Sequence, residues 1–315
     1  MLKYLVVQLA DDAVSYCHYE NTAKGEQFIS ADDLKAAIRF GMVENLNIQF
    51  VYPKRALPEG YDAIIESIDH TKIMPCTAPN TESADIVVCN NIAEVKACKL
   101  RKEQIVILRI CRMDINELET AYDEIKDRCA RLNVVITDIY KFTDSELDSY
   151  KAVLAKLGNK VQQNIVNGGN MQLNLLTDRL TLKAMNNCNA GDEVVTLMPN
   201  GKFYPCAGFY YDNSDEDFGD LIRGVQIKNR QLFKLGYAPI CRHCDAYHCR
   251  RCVWLNRKTT FEVNTPSHEQ CVVAHLERNE SGRILADIRK EYEYTPEISI
   301  PEIDYLDPFD KHKEW

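Results

Sequence analysis

Residues 104–140, QIVILRICRMDINELETAYDEIKDRCARLNVVITDIY, contain two apolar runs with a helical pattern between them. The runs at 104–110 and 133–140 are rich in Val and Ile, which is typical of buried strands. Between them, residues 115–132 repeat apolar side chains at helical spacing, namely Leu118, Tyr122, Ile125, Cys129 and Leu132. A strand, a helix and a second strand in this order predict two parallel strands joined by a crossover helix.

The same alternation precedes this unit. Further strand-like runs lie at residues 3–9, 46–52 and 84–89. Five or six such units predict an α/β fold in which a mostly parallel sheet forms an open or partial barrel.

Two further helices have recognisable starts. Residues 31–43 follow Ser30, a residue type that caps helices. A second helix is predicted to begin at Thr143, which forms a capping-box pair with Glu146, and to end near Gly158.

The pattern changes at about residue 187. Residues 193–206, EVVTLMPNGKFYPC, form two extended runs around Asn200-Gly201, which predicts a β-hairpin. A cysteine-rich stretch then extends to residue 271, followed by a helix over about 272–292. The tail at 295–315 is expected to pack against the body of the protein. The predicted units are therefore a barrel at 1–170, a linker at 171–187, a cysteine-rich domain at 188–275, and a C-terminal helix and tail at 276–315.

The overall composition excludes several classes of protein. The 315 residues are 45% apolar and 27% charged, as in a folded globular chain. The first apolar run is broken by Gln8, Asp11 and Asp12, so it predicts neither a signal peptide nor a membrane span. A net charge of -9 argues against nucleic acid as the main partner. We therefore expect a cytoplasmic protein that has no membrane partner and whose thirteen cysteines are reduced.

The cysteines fall into two sets. Six are scattered and are expected to be small buried hydrophobic residues: Cys17, Cys76, Cys89, Cys98, Cys111 and Cys129. The other seven lie close together in the sequence: Cys188, Cys206, Cys241, Cys244, Cys249, Cys252 and Cys271. Seven thiolates can complete one four-thiolate metal site and leave three ligands for a second. Spacing alone leaves zinc and iron–sulfur clusters equally open.

The order of these seven residues resembles the SPASM domain, which follows the catalytic barrel in many radical S-adenosylmethionine (radical SAM) enzymes that modify peptides. The family pattern is C-x₉₋₁₅-G-x₄-C, a gap, C-x₂-C-x₅-C-x₃-C, a gap and C. The glycine corresponds to Gly201, and two of the spacings within residues 241–252, CRHCDAYHCRRC, are one residue shorter than in the family.

The resemblance implies two auxiliary [4Fe–4S] clusters. Carried over by position, the ligands of the second cluster are Cys241, Cys244, Cys249 and Cys271. Those of the first cluster are Cys188, Cys206 and Cys252. Residues 189–205 contain no further cysteine, so the resemblance implies one iron of the first cluster that is open, or is filled by water, another side chain or a substrate thiolate.

The barrel lacks the residues that a radical SAM enzyme uses for its catalytic cluster. Its C-x₃-C-x₂-C motif would follow the first strand, where this chain has Ala10, Val14 and Cys17. The loop after the second predicted strand also lacks glycines that could approach a cofactor. We therefore expect a radical-SAM-like barrel that neither binds S-adenosylmethionine nor performs radical chemistry.

A SPASM-like domain on such a barrel resembles the CXXX repeat peptide maturases. This resemblance implies a cysteine-rich, ribosomally synthesised precursor peptide as partner, and a separate modification enzyme or electron donor as a second partner. A first strand near Lys3 leaves no length ahead of it for a leader-binding winged helix. The main hypothesis is a two-cluster protein that binds or helps mature this peptide, either by capturing a substrate thiolate at the open iron or by passing electrons.

Two alternatives stay open. One is a non-radical peptide-modifying enzyme, with candidate groups Cys17, His18, Tyr52 and Lys54, although each is expected to be structural or merely exposed. The other is a zinc-scaffolded binding protein, in which His243, His248 or His268 completes the three-cysteine site. His275, on the helix after Cys271, is expected to be a surface or core residue.

Overall fold

The computed structural model describes residues 1–23 and 25–291, so the tail at 295–315 lies outside the described residues. The α-helices are α1 Ala31–Val43, α2 Tyr61–Ile65, α3 Ile92–Ala97, α4 Leu118–Ile125, α5 Asp144–Val166, α6 Asp178–Thr181, α7 Ala207–Asp212, α8 Val253–Thr260 and α9 His268–Glu291. Short 3₁₀ turns span Thr81–Ser83, Arg112–Glu117, Ile139–Lys141, Arg230–Phe233, Leu235–Tyr237 and Cys241–His243. None of the helices in this part of the chain is long and apolar enough to cross a membrane.

The strands are β1 Tyr4–Gln8, β2 Asn47–Val51, β3 Thr71–Pro75, β4 Ile86–Cys89, β5 Ile105–Ile110, β6 Arg131–Ile136, β7 Gln172–Leu173, β8 Val194–Leu197, β9 Phe203–Tyr204, β10 Gly219–Asp220 and β11 Gly224–Val225. Among the described residues, nine of them form one sheet in the order β7-β6-β5-β4-β3-β2-β1-β8-β9. Strands β1 to β6 lie in sequence order and are all parallel. The α/β fold is therefore confirmed, and this arrangement is consistent with a partial barrel.

The two faces of the sheet bury different apolar residues, because successive side chains in a strand point to opposite faces. Leu5 and Val7 belong to the large core that includes helices α1 and α5. Val6 joins a smaller cluster on the other face, together with Ala13, Val14, Val51, Ile73, Val88 and Ile107. Ala13 and Val14 of the loop after β1 thus pack against the face of the sheet opposite the main core, whereas Tyr19 of the same loop belongs to the main core.

The predicted hairpin extends this sheet. Strands β8 and β9 pair antiparallel around Asn200-Gly201, and Gly201 has a φ of 74°, which the turn requires. On its other side β8 pairs in parallel with β1, in the register Tyr4↔Val194. The first part of the cysteine-rich region is therefore continuous with the strand at the start of the chain.

Two predicted helix boundaries are wrong. The helix predicted over 115–132 ends at Ile125, because the chain from Arg131 onward pairs with β5 as strand β6. Helix α5 begins at the predicted capping box of Thr143 and Glu146 but continues past Gly158 to Val166. A Cβ atom at Gly158 would lie 1.9 Å from Oε1 of Glu280, so this glycine allows the close approach of α9 instead of ending the helix.

Candidate metal centre

All thirteen cysteines are free of disulfides, and the seven clustered ones occupy two separate places in the structure. The second thiol group consists of Cys241, Cys244, Cys249 and Cys271, which line one enclosed, mostly apolar cavity. The first thiol group consists of Cys188, Cys206 and Cys252. That these two groups are the ligand sets implied by the SPASM-like spacing stays a prediction.

The second thiol group lies between the 241–252 loop and helix α9. Cys241 begins a 3₁₀ turn, and the backbone N–H of Ala246 donates to Sγ of Cys244 at 3.4 Å. Sγ of Cys244 also lies 3.5 Å from Nε2 of His275, which is buried. Local turns thus bring three of the thiols together, and α9 supplies Cys271.

A buried arginine lines the same cavity. Arg251 is 1% exposed, and its φ of 42° places it in the left-handed region. One of its nitrogens, Nη2, donates to the carbonyl oxygen of Phe233, whereas Nε and Nη1 have no hydrogen-bond partner. A buried guanidinium with two nitrogens that lack hydrogen-bond partners is costly, so the site favours an anionic occupant.

Two thiols of this group, those of Cys241 and Cys249, have raised pKa values in the absence of such an occupant. Burial raises the pKa of Cys241 to about 11, although the charge of Arg251 opposes this rise. Burial likewise raises the pKa of Cys249 to about 12, helped by the nearby thiols of Cys241 and Cys244. Metal binding at this group would therefore release protons.

The first thiol group is built where two short helices meet. Cys206 and Cys252 are the residues immediately before α7 and α8. A Cβ atom at Gly208 would lie 2.8 Å from the Trp254 ring, so the two helices touch closely near their starts. Cys188 joins them from the preceding segment, because its N–H donates to the carbonyl of Arg250 at 3.2 Å.

Burial is also the main cause of the raised pKa values in the first thiol group. It raises the pKa of Cys252 well above its ordinary value, and the thiols of Cys188, Cys206 and Cys17 raise it further. It also raises the pKa of Cys206, whereas the backbone N–H groups of Gly208 and Phe209 lower it by donating to the thiol. Amides aimed at the sulfur stabilise a thiolate, which is the form that binds metal.

Cys17 of the degenerate motif lies beside this group, a position that the sequence alone did not predict. Burial raises its pKa to about 12, and Cys188 adds to the rise, while Arg250 and Arg109 lower it. The side chain of Arg109, on β5, holds the loop: its Nε donates to the carbonyl of Cys17 at 3.0 Å and its Nη2 donates to that of Tyr19 at 2.9 Å. Arg109 is only 6% exposed, and its position in an otherwise apolar strand run is the one sequence signal that could have drawn attention to it.

The other two motif positions are filled by apolar packing. Ala10 is fully buried and forms a backbone bridge with Phe28. Val14 is 8% exposed and belongs to the smaller apolar cluster. Neither side chain can bind iron.

The structure separates the remaining candidate residues. The Nδ1–H of His18 donates to the carbonyl oxygen of Ile136 at 3.0 Å, and burial lowers the pKa of His18 to about 4. Tyr52 is buried, with its pKa raised chiefly by burial, whereas Lys54 is exposed. Tyr52 lines a cavity of about 890 Å³ at the carboxyl ends of β2 and β3.

The histidines proposed as zinc ligands lie in different surroundings. Nε2 of the buried His248 lies 3.0 Å from Oε2 of Glu277, so this ring already has a carboxylate partner. His243 is exposed, and His268 is half-buried at the start of α9. His275 is a core residue next to Cys244, and is the histidine that lies against a thiol.

The scattered cysteines are buried only in part. Cys89, Cys98 and Cys129 are buried as expected, whereas Cys17, Cys76 and Cys111 are half-buried. Cys89 lies against both Cys76 and Cys98, and these hydrogen-bonded thiols raise the pKa of Cys89. Sγ of Cys76 also donates to Oε2 of Glu94 at 3.3 Å.

Within residues 1–23 and 25–291, no three His, Cys, Asp or Glu side chains are arranged to hold a metal ion. A zinc ion requires its ligands to converge on one point at about 2.0 to 2.3 Å. The metal content of the two thiol groups therefore stays a prediction.

No protein-family model and no curated protein matches this chain. Among solved structures, the chain is similar to the crystal structure of Streptococcus suis SuiB bound to precursor peptide SuiA. The two share 13% sequence identity with a TM-score of 0.39, over 67% of this chain and 61% of SuiB. The match thus spans less than two thirds of SuiB.

Proposed function

We propose that this protein is an iron–sulfur protein with two [4Fe–4S] clusters that binds or helps mature a cysteine-rich, ribosomally synthesised peptide without radical SAM chemistry. The observation that carries the proposal is the buried, incompletely paired Arg251 in a cavity lined by four thiols. A [4Fe–4S]²⁺ cluster held by four thiolates has a net charge of about -2, which would compensate this cation. The charge and the donor set both fit the group.

The ligand assignment follows from the two thiol groups. Cys241, Cys244, Cys249 and Cys271 would hold the second cluster, and Cys188, Cys206 and Cys252 would bind the first. A bound cluster supplies one-electron transfer, at a potential set by nearby charge and hydrogen bonds to its sulfurs. The protein supplies such features in Arg251 and in the amides of Ala246, Gly208 and Phe209.

The proposal excludes the radical reaction because the chain lacks ligands for the cluster that starts it. Ala10 and Val14 are apolar and buried, which leaves Cys17 as the single thiol of that motif. One thiolate cannot hold a cluster that keeps an iron open for S-adenosylmethionine.

The peptide partner rests on the resemblance to the CXXX repeat peptide maturases. SuiB was solved with a precursor peptide, but its 13% sequence identity to this chain is too low to support a peptide partner here. We propose the cavity next to Tyr52 as the peptide site, since ligands of α/β proteins commonly bind at the carboxyl ends of parallel strands. Its lining includes both charges and thiols, among them Arg55, Glu66, Cys76 and Cys98.

The first experiment is to measure iron, acid-labile sulfide and zinc per chain in anaerobically purified protein, and to assay S-adenosylmethionine cleavage on the same sample. About eight irons and eight sulfides without cleavage would support the proposal. Cleavage, or the absence of sulfide, would overturn it. Peptide binding is tested separately with a synthetic peptide carrying cysteine at every fourth position, and Tyr52→Ala should weaken that binding while Tyr140→Ala, outside the cavity, should not.

A zinc-scaffolded binding protein is the second candidate. The contact between the Cys244 thiol and the His275 imidazole favours it, because mixed cysteine and histidine sets are typical of structural zinc. About two zincs per chain and no sulfide in the same measurement would establish this alternative.

A further inference from the structure

We propose that Cys17, from the loop after β1, is the fourth ligand of the first thiol group, so that the cluster there is bound by four thiolates and has no open iron. This inference rests on the proposed function, since it assumes that Cys188, Cys206 and Cys252 hold a [4Fe–4S] cluster. It concerns a residue outside the SPASM-like region, on a loop of the barrel.

The loop of Cys17 packs directly on the helices that follow two of the other ligands. Two residues after Cys17, the ring of Tyr19 lies 5.8 Å from the ring of Tyr211 on α7 and 6.4 Å from that of Trp254 on α8. Helix α7 starts directly after Cys206, and α8 starts directly after Cys252. The loop therefore lies against both of the helices that begin after these two cysteines.

Polar contacts fix the same loop to α7. Nδ2 of Asn21 donates to the hydroxyl oxygen of Tyr211 at 2.9 Å, and the Tyr211 hydroxyl donates to the carbonyl of Asp11 at 3.0 Å. The hydroxyl of Tyr210 donates to Oδ1 of Asp11 at 3.0 Å. Both ends of the loop are thus tied to the helix that begins at a ligand of the first group.

Arg109 fixes the loop from the other side. Besides the carbonyls of Cys17 and Tyr19, its guanidinium donates to Oδ1 of Asn90 at 2.9 Å and forms an ion pair with Glu20 at 2.6 Å. A buried, fully engaged guanidinium on a central strand holds the backbone at Cys17 in one place. Such positioning is what a metal ligand requires.

The backbone near the other ligands reaches the same place. The N–H of Cys188 donates to the carbonyl of Arg250 at 3.2 Å, and Cys252 follows Arg250 by two residues. Together with Cys206, Cys17 would bring the number of thiols here to four, the number that a four-iron cluster binds.

The assignment changes the expected role of the first cluster. On binding iron, the Cys17 thiol loses its proton to solvent and forms one iron–sulfur bond, with no change in oxidation state. With all four irons bound by the chain, a substrate thiolate has no vacant iron to bind. The first cluster is then suited to electron transfer and not to substrate capture.

The test uses full-length, anaerobically reconstituted wild-type protein and the variants Cys17→Ala, Cys17→Ser and Cys111→Ser. Iron and sulfide are counted, and the reduced clusters are followed by EPR with and without imidazole, which binds an open iron. We expect wild-type protein and Cys111→Ser to be insensitive to imidazole. Cys17→Ala should show an imidazole-dependent shift in one cluster and lose about one iron per chain on mild oxidation.

Complete loss of one cluster in Cys17→Ala, with retention in Cys17→Ser, would also support the proposal, because an alkoxide can replace the thiolate. The second cluster serves as the internal control for folding. Tyr16→Phe, which changes the neighbouring side chain in the same loop, should keep both clusters.

The outcomes distinguish this inference from the proposed function. Two clusters in the wild type, one of which already responds to imidazole, together with an identical response in Cys17→Ala, would overturn the role of Cys17 and leave the proposed function standing. No sulfide in any variant would overturn the proposed function, and the role of Cys17 with it.

Discussion

The Tyr150 hydroxyl donates a 2.6 Å hydrogen bond to Oε1 of Glu277, whose Oε2 lies 3.0 Å from Nε2 of His248. All three side chains are buried. They connect α5 of the barrel, helix α9 and the loop that carries Cys249. A buried polar network of this kind fixes the relative position of the elements it joins.

Tyr150→Phe should lower the free energy of unfolding by about 1 to 3 kcal/mol, because it leaves a buried carboxylate oxygen without its donor. The measurement is chemical denaturation of the full-length protein. The matched control is Tyr140→Phe, whose side chain is only partly buried. Equal effects of the two substitutions would contradict a special role for the pair with Glu277.

Gly208→Ala should destabilise the protein by about 1 to 3 kcal/mol and reduce iron retention in the first thiol group, because the added Cβ would overlap the rigid ring of Trp254. Thermal unfolding and iron counting on the same sample measure both effects. Gly236→Ala is the control, since nothing lies within 4 Å of a Cβ there. Unchanged iron content in Gly208→Ala would show that the contact between α7 and α8 does not shape the site.

Arg251→Met should change the stability of the metal-free protein and the reduction potential of the metal-bound protein. Removing an incompletely paired buried charge should leave the metal-free protein equally stable or stabilise it by about 1 to 4 kcal/mol. In the bound protein the same change should lower the reduction potential of one cluster, since a nearby positive charge favours the added electron. A redox titration followed by EPR measures this shift.

The control for that titration is Arg242→Met, at an exposed position of the same loop. It should leave the potential close to that of the wild type, because solvent screens an exposed charge. An equal shift in both variants would mean that Arg251 does not face the cluster.

Alkylation should distinguish ligand thiols from the rest. In reconstituted protein, Cys17 and the seven clustered cysteines should resist iodoacetamide, whereas the half-buried Cys111 should react. After chelation, the ligand thiols should become reactive, although slowly, because burial keeps them protonated. Peptide mass spectrometry measures the extent of alkylation at each cysteine. Equal alkylation of Cys17 before and after chelation would contradict its assignment as a ligand.

Local signals in the sequence predicted much of the fold. The caps at Ser30 and Thr143 correctly gave the starts of α1 and α5, since each side chain accepts a hydrogen bond from the backbone of its own first turn. The end of α5 was predicted wrongly because Gly158 allows the close approach of α9, an element that is distant in the sequence. Strand β3, Thr71–Pro75, was missed because its five residues mix polar and apolar types and it becomes a strand by pairing with β2 and β4.

For the candidate site as well, local sequence indicates some features, whereas others depend on the packing of distant elements. The two candidate ligand sets come from spacing and resemblance alone, and that they bind clusters stays a prediction. The place of Cys17 could not be predicted, since it depends on how the loop after β1 packs against α7 and α8. The place of Arg251 could not be predicted either, because its burial and its incompletely paired guanidinium are properties of the folded chain.

The pairing of β8 with β1 also has a consequence for synthesis of the chain. Strand β1 is translated well before β8, so one of its two neighbours is completed only when Leu197 has been added. Until then the run YLVVQ presents an unpaired apolar edge, the kind of surface that recruits other strands. A version ending at residue 170 should therefore aggregate, while the longer chain, in which β8 covers this edge of β1, should not.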